Sequence, residues 1–415
     1  MSFLAAPLIY DAGLAVMRGC APSGALGPTD EFPALPGMNG REGLVHKSLA
    51  ALPLCSHSDG EHISGYNKMR KVELGQTSLM VSELCLGSMT WGTQNTEVEG
   101  HGQIDTSLDH GINFIDTAEM YPVNPISPET QGDSERVMGS WFENTGRRDD
   151  VILATKHSGE GLAHVRDGAR ISSKTIFDAV EGSLARLKTD YIDLYQFHWP
   201  NRGSMAFRKN WTYDPGTPDK AGIRAEMEDA LGALQKLVDQ GKIRHFGLSN
   251  ESAWGTSQWL RISEDMGLPR VAAIQNEYSL LCRMYDTDLS ELSVQEGVTL
   301  LAFSPLAVGL LTGKYQGGAI PKGSRRTFVD SLGGRVTDRV FPAVDAYQAI
   351  ADRHGLDLAQ MALAWCRTRP FKVSAIFGAT TQAQLKNTLA SQDLVLSDDV
   401  IGEINSCHIR HPMPY

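Results

Sequence analysis

The sequence predicts an α/β protein folded as a (β/α)8 TIM barrel of parallel strands, with a short N-terminal β-hairpin closing the barrel bottom. Three observations lead there. Eight short apolar runs recur from residue 82 onward, and the segments between them carry apolar residues at helical spacing. Eight alternating units is the number that closes such a barrel. No GxGxxG follows the first run, which weakens the alternative of an open, doubly wound sheet.

The elements follow in order. Met69 opens MRKVELGQTSLMVSELCLGSMTWG, read as a hairpin leading into the first barrel strand. The strands are expected at SELCLGS, INFID, VILATK, IDLYQFH, IRHFGLS, VAAIQ, TLLAFSP and SAIFGAT. SSKTIFDAVEGSLARLKT exemplifies the helices between them. Residues 1–68 differ: six prolines, nine glycines and no sustained hydrophobic period. Their start lacks basic residues before its apolar stretch, which Asp11 interrupts, so a secretory signal does not fit. The acidic Asp11, Asp30, Glu31 and Glu42 do not suit a transit peptide either. The expectation is a disordered extension, or a functional chain that begins near Met69, with residues 69–415 forming the barrel.

Composition narrows the function. Of 415 residues 41% are hydrophobic and 21% charged, and the net charge is -11. That is ordinary globular composition, without the basic footprint of a nucleic-acid or anionic-membrane partner. No apolar run approaches the length needed to span a bilayer. Cys20, Cys55, Cys85, Cys282, Cys366 and Cys407 form no CxxC pair and join no His at zinc-ligand spacing, so no metal is expected. Unpaired thiols and no export signal suit the cytoplasm. No heptad pattern fixes an oligomeric state.

Active sites of these barrels gather at the C-terminal strand ends, so the residues closing each apolar run are the ones to inspect. They include Asp116, Lys156, His198, Ser249, Asn250, Gln275 and Ser304, with Tyr121 five residues beyond Asp116 in NFIDTAEMYP. Singly each has an ordinary reading: a turn former, a surface cation, a packed histidine, a loop aromatic. Jointly they place an acid, a cation, a phenol and an imidazole at one barrel end.

NFIDTAEMYP, ILATKHSG and LYQFHWP resemble the aldo-keto reductase family, whose Asp, Tyr, Lys and His tetrad is matched by Asp116, Tyr121, Lys156 and His198. The likeness runs over residues 70–390 and is nearest the bacterial Tas-type branch, through EMYPVNPISPETQG and GATTQAQLK. It implies hydride transfer from NADPH to an aldehyde or ketone, a small-molecule substrate, with Tyr121 as proton donor. A phenol near its ordinary pKa of about 10 exchanges protons poorly at neutrality. Lys156 is therefore expected to lower it, with Asp116 holding the ammonium and His198 orienting the carbonyl.

The resemblance also implies a cofactor groove. Ser249, Asn250 and Gln275 match residues that hold the carboxamide, and Phe303 matches an aromatic stacked on the nicotinamide. Ser304, Leu306 and Gly309 match the pyrophosphate cradle, with Lys314 and Arg325 as its cations. Gly378, Ala379, Thr380, Gln384 and Asn387 fall at the adenosine end, before a helix start that favours phosphate. Thr90 and Trp91 complete the set after the first strand. Two departures stand out: the family's basic pair at the 2′-phosphate is replaced by Gly378 and Gln384, and the adenine-facing Asn is offset to Asn387. Trp91, Trp199, Arg283, Met284 and the long insertion NRGSMAFRKNWTYDPGTPDKAG are expected to line the carbonyl pocket. Two other functions compete. Potassium-channel β subunits of the same family bind nucleotide but act as regulatory partners, and they carry Asn where this chain has His198. A Schiff-base aldolase would use Lys156 but leave the nicotinamide-side residues without purpose.

Overall fold

The computed structural model describes residues 69–123 and 125–415. The expectations for residues 1–68, and for Cys20 and Cys55 within them, lie outside the described residues. β1 (Lys71–Glu73) and β2 (Met80–Ser82) pair antiparallel, with Val72 opposite Val81. Eight parallel strands then close a barrel: β3 (Leu84–Gly87), β4 (Phe114–Asp116), β5 (Ile152–His157), β6 (Ile192–Phe197), β7 (Ile243–Ser249), β8 (Val271–Glu277), β9 (Thr299–Phe303) and β10 (Val373–Phe377). β10 closes the ring by pairing with both β9 and β3.

Helices separate the strands: α1 (Glu97–Asp109), α2 (Asp133–Thr145), α3 (Ser173–Leu187), α4 (Lys220–Asp239), α5 (Ala253–Met266) and α6 (Leu289–Glu296). Both α7 (Val340–Arg353) and α8 (Leu358–Cys366) lie between β9 and β10, and α9 (Gln382–Ala390) and α10 (Asp398–Arg410) follow. Several of their starts carry side-chain caps that satisfy free N–H groups: Thr96 with Glu99 and Ser172 with Thr175 form capping boxes, and Ser252, Thr381 and Ser397 cap α5, α9 and α10.

Strand alternation makes the interior. Phe114, Ala154, Leu194, Ala273 and Leu301 form an apolar layer inside the barrel with Leu74 and Val81 of the hairpin. The hairpin turn meets the N-terminal strand ends, where the Gly75 N–H donates to Thr299 Oγ1 at 2.7 Å. Gly75 has φ +63°, and a Cβ there would stand 2.5 Å from the Ala272 carbonyl oxygen, so only glycine seats this plug. Two residues above the apolar layer, on the same strand faces, stand Asp116, Lys156, Gln196, Gln275 and Phe303. Alternation that buries the lower layer therefore aims this upper, mostly polar layer at the mouth.

The helical shell packs tightly where α2 meets α3. A Cβ at Gly139 would lie 2.2 Å from the Arg186 carbonyl oxygen. Gly139→Ala is expected to destabilise the protein by about 1–3 kcal/mol or more through overpacking. Gly232 in α4 has nothing within 4 Å of such a Cβ, so Gly232→Ala should stabilise by roughly 0.5–1 kcal/mol. Urea midpoints of the two variants check the contrast; equal midpoints would refute the packing account.

Candidate active site

Four strand ends and one loop converge on a buried ammonium. Lys156 Nζ donates to Asp116 Oδ2 at 2.5 Å, to the Thr117 carbonyl at 2.7 Å and to Tyr121 Oη at 3.4 Å. The same nitrogen lies 4.7 Å from the Tyr121 ring centroid. Lys156 is fully buried and Asp116 nearly so, so this is a paired charge in a low-dielectric setting. Burial works against the ammonium, but Asp116 and Tyr121 outweigh it and raise its pKa above the ordinary lysine value. Tyr121 is joined to Pro122 by a cis peptide bond, and its N–H donates to the Ala118 carbonyl at 3.0 Å.

The expectation that Lys156 lowers the Tyr121 pKa requires correction. Burial pushes the phenol up and outweighs the downward pull of Lys156, so the net direction is upward. Asp116, which sits on the same ammonium, adds to burial in opposing phenolate formation.

A second ring of partners surrounds Asp116, of which sequence reasoning missed Gln196 and gave Gln275 only a carboxamide-holding role. Asp116 Oδ1 accepts from Gln275 Nε2 at 2.8 Å and from Gln196 Nε2 at 3.2 Å, and Gln275 Nε2 also reaches Gln196 Oε1 at 3.2 Å. Gln275 thus braces the carboxylate. Gln196 was findable, because it lies two residues before His198 on the inward face of a buried strand. His198 follows β6, and its ring stands edge-on to Tyr121 with centroids 5.8 Å apart. Burial first, and Lys156 second, hold its pKa well below the ordinary histidine value, so the imidazole is neutral. Its Nδ1 is buried without a hydrogen-bond partner among the described residues.

On the far side of the mouth, Ser249 Oγ donates to the Gln275 carbonyl at 2.8 Å. Asn250 sits at φ +53° with its Nδ2 on the His198 carbonyl at 2.9 Å, and its Oδ1 is a buried acceptor without a partner among the described residues. Phe303 ends β9. Beyond it Ser304, Ala307, Val308 and Gly309 all have positive φ, giving a tightly curled segment after Leu306. A Cβ on Gly309 would lie 2.9 Å from Lys314 Cε, so this glycine makes room for the lysine. Neither Lys314 nor Arg325 has an ion-pair partner among the described residues. Burial lowers the pKa of both, that of Arg325 to about 10 with Arg335 adding to the effect. Two desolvated cations without carboxylates, beside a glycine-eased turn, are suited to an anion.

Comparison with known proteins agrees with this geometry. The aldo/keto reductase family model matches residues 83–409. The chain belongs to the aldo/keto reductase family. It is 44% identical over 352 residues to Protein tas of Escherichia coli K12, covering 83% of this chain and 99% of that protein. It is 37% identical over 276 residues to an aldo-keto reductase of Babesia bovis, covering 62% of this chain and 95% of that protein. A probable voltage-gated potassium channel subunit beta of Arabidopsis thaliana is 31% identical over 79% of this chain and 92% of its own length.

In this aldo/keto reductase several expected groove residues have other work. Trp91 is fully buried in the layer outside the barrel, its Nε1 donating to Gln103 Oε1 at 2.9 Å, so it lines neither groove nor pocket. Gln103 passes the contact on to the Ala379 carbonyl at 3.0 Å. Thr90 acts similarly, through Asn95, which donates to the Thr380 carbonyl at 3.2 Å. Gln384 folds back to accept from the Thr380 N–H at 2.9 Å, while a Cβ on Gly378 would meet only the Gly87 carbonyl oxygen, at 3.8 Å. The Asn387 amide is engaged by Gln360 at 2.8 Å and Asp357 at 3.3 Å, a tie to α8 that the sequence offset did not reveal.

The pocket side needs one more correction. Arg283 pairs with Asp286 at 2.7 Å, donates to Asn405 and lies over the Trp365 ring, which takes it into the helical shell. Trp199 stays near the mouth, 5.1 Å from His198 and 6.4 Å from Phe207 between centroids. The long insertion folds inward: Arg208 reaches Glu277 at 3.0 Å, as do Arg335 at 2.8 Å and the Tyr415 hydroxyl at 3.2 Å. Beside this junction is a cavity of about 60 Å³ lined by Met205, Phe207, Cys282, Met284, Met413 and Tyr415. Among the described residues no helix is long and apolar enough to cross a membrane.

Proposed function

We propose that this aldo/keto reductase uses NADPH to reduce aldehydes or ketones to alcohols, with Tyr121 giving the proton to the carbonyl oxygen. The observation that carries the reading is the Lys156 ammonium held between Asp116 and the Tyr121 phenol. NADPH, when bound, supplies the hydride to the carbonyl carbon. Ser249, Asn250 and Phe303 would hold its nicotinamide, and the unpartnered Asn250 Oδ1 suits a carboxamide N–H. Ser304, Leu306, Gly309, Lys314 and Arg325 would hold its pyrophosphate, with Gly378, Thr380 and Gln384 toward the adenosine.

This chain's own groups then divide the work. The upward-shifted phenol stays protonated through the neutral range, so Tyr121 is always loaded as an acid. Lys156, permanently cationic, stabilises negative charge left on the phenolate after transfer, and Asp116 keeps the ammonium in place. Neutral His198 has a ring N–H to donate to the carbonyl oxygen, fixing the substrate without adding a second charge beside Lys156. Trp199, 5.1 Å from the His198 ring and in edge contact with Phe207, gives the pocket an aromatic side.

The test is loss of reduced-nicotinamide absorbance when the full chain is mixed with NADPH and 4-nitrobenzaldehyde, with NADH run in parallel. Turnover with higher kcat/KM for NADPH is expected. A clear NADH preference would overturn the cofactor assignment. Tight nucleotide binding without turnover of any carbonyl would move the protein toward the channel-subunit role in the Arabidopsis relative's name.

A further inference from the structure

Among the buried charges that the proposed chemistry leaves unused, Glu119 and Arg166 lie nearest to it. We propose that the Glu119–Arg166 ion pair is a positioning clamp that fixes the Tyr121 segment against the Lys156 strand end and so sets the phenol–ammonium distance. The inference rests on the reading of Tyr121 as proton donor.

Glu119 is two residues before Tyr121 and is almost wholly buried. Its Oε1 accepts the N–H of Ser158, two residues beyond Lys156, at 2.5 Å. The Arg166 guanidinium grips the same carboxylate with both terminal nitrogens, Nη2 at 2.8 Å from Oε1 and Nη1 on Oε2. Arg166 Nη2 also donates to the Ser158 carbonyl at 3.3 Å. The main chain adds a weaker tie, the Glu119 N–H to the Lys156 carbonyl at 3.4 Å, and Gln131 Nε2 donates to the Glu119 carbonyl at 3.1 Å. One carboxylate therefore cross-links the two peptide segments on which the phenol and the ammonium ride.

Two further observations set this pair apart from ordinary shell ion pairs. Arg166, Asp167 and Gly168 have φ of 48°, 56° and 74°. Two consecutive non-glycine residues in that region are strained, and such strain persists only where surrounding contacts over-determine it. Here the curled backbone is what delivers the guanidinium to Glu119. The neighbouring His157, held near pKa 4 by burial, is neutral at physiological pH and leaves Arg166 as the counter-charge. Burial opposes the Glu119 carboxylate, yet the Arg166 fork, helped by the Ser158 N–H, more than offsets it and its pKa lies below the ordinary glutamate value. A bidentate fork of this kind fixes angle as well as distance.

The groups acting on Tyr121 are Lys156, Asp116 and Arg325, with the neutral His198 ring packed on its edge. Of these Lys156 exerts the largest downward pull. Loosening the clamp lengthens its contact with the phenol, so the Tyr121 pKa rises further.

Arg166→Lys tests this, since lysine keeps the charge and loses the fork. Expected are unchanged NADPH affinity by fluorescence quenching, a fall in kcat of about 10²-fold from misplacement of the donor, and a move of the alkaline limb of kcat to higher pH. Faster amide exchange confined to residues 117–121, with β5 and β6 protected as in wild type, is the activity-independent sign. Should Arg166→Lys fail to fold, the neutral pair Glu119→Gln/Arg166→Gln takes its place. A lowered melting point with kcat, alkaline limb and local exchange all unchanged overturns the clamp. If wild type reduces no carbonyl, the reductase reading fails by itself, while the exchange measurement still decides the clamp.

Discussion

Replacing Tyr121 with Phe should lower kcat for carbonyl reduction by 10²–10⁴-fold, the range expected when a general acid is removed. The ring stays, so the edge contact with His198 and the place above Lys156 are retained. Only the hydroxyl 3.4 Å from Lys156 Nζ disappears. NADPH affinity should hardly change, because the residues assigned to the groove are elsewhere. The wild-type pH profile belongs to the same experiment. The Tyr121 pKa is raised, so the acid form persists as pH climbs and reduction should decline only above the ordinary tyrosine range. His198 is neutral well below its ordinary pKa, so no ascending limb is expected near pH 6.5. Measuring kcat from pH 5 to 11 for both proteins checks this; a Phe variant as fast as wild type would remove Tyr121 from the mechanism.

The second large effect concerns stability. Asp116→Asn removes the negative charge and leaves the Lys156 ammonium buried among neutral acceptors, the Thr117 carbonyl, the Tyr121 hydroxyl and an amide oxygen at position 116. Breaking a buried pair from one side costs about 3–5 kcal/mol, because the remaining charge loses its compensation. Removing both charges with an apolar pair of similar volume is often neutral. Asp116→Leu/Lys156→Met should therefore unfold at a higher urea concentration than Asp116→Asn while being catalytically dead. Asp116→Leu also strips the acceptor from Gln196 and Gln275, which sets a ceiling on how much the double variant recovers. If Asp116→Asn unfolds at the wild-type midpoint, the pair is not the buried charge it is taken to be.

These two experiments concern residues that the sequence displayed openly. All eight barrel strands coincide with the apolar runs, because a strand buried on both faces must be apolar nearly throughout. Where a polar residue ends such a run, alternation and the barrel rule place it at the mouth, and Asp116, Lys156 and His198 were legible on that ground. Residues whose task depends on a distant partner were less visible. Trp91 was expected at the mouth because it follows the first strand, yet Gln103, twelve positions on, draws it outward. Arg283 follows β8 in the chain but is taken by Asp286, Asn405 and Trp365. Glu119 drew no notice in NFIDTAEMYP, since its partner Arg166 lies 47 residues away. Two helices between β9 and β10 were likewise not separable from spacing alone. The Tyr121 pKa shift was misjudged in sign because burial is a property of the fold, while the Lys156 neighbour is evident in the sequence.

Lys314 and Arg325 have a consequence for how anions approach. The whole molecule carries a net charge of -11, so at long range it repels a dinucleotide phosphate. Close in, the segment after β9 holds two partly buried cations that pair with no carboxylate among the described residues. The Debye length is about 10 Å at 0.1 M salt, which hides the repulsion of distant surface carboxylates while leaving the partly buried cations in force. Moderate salt should thus hasten rather than slow the encounter with a polyanion, the reverse of what a uniformly basic binding face produces.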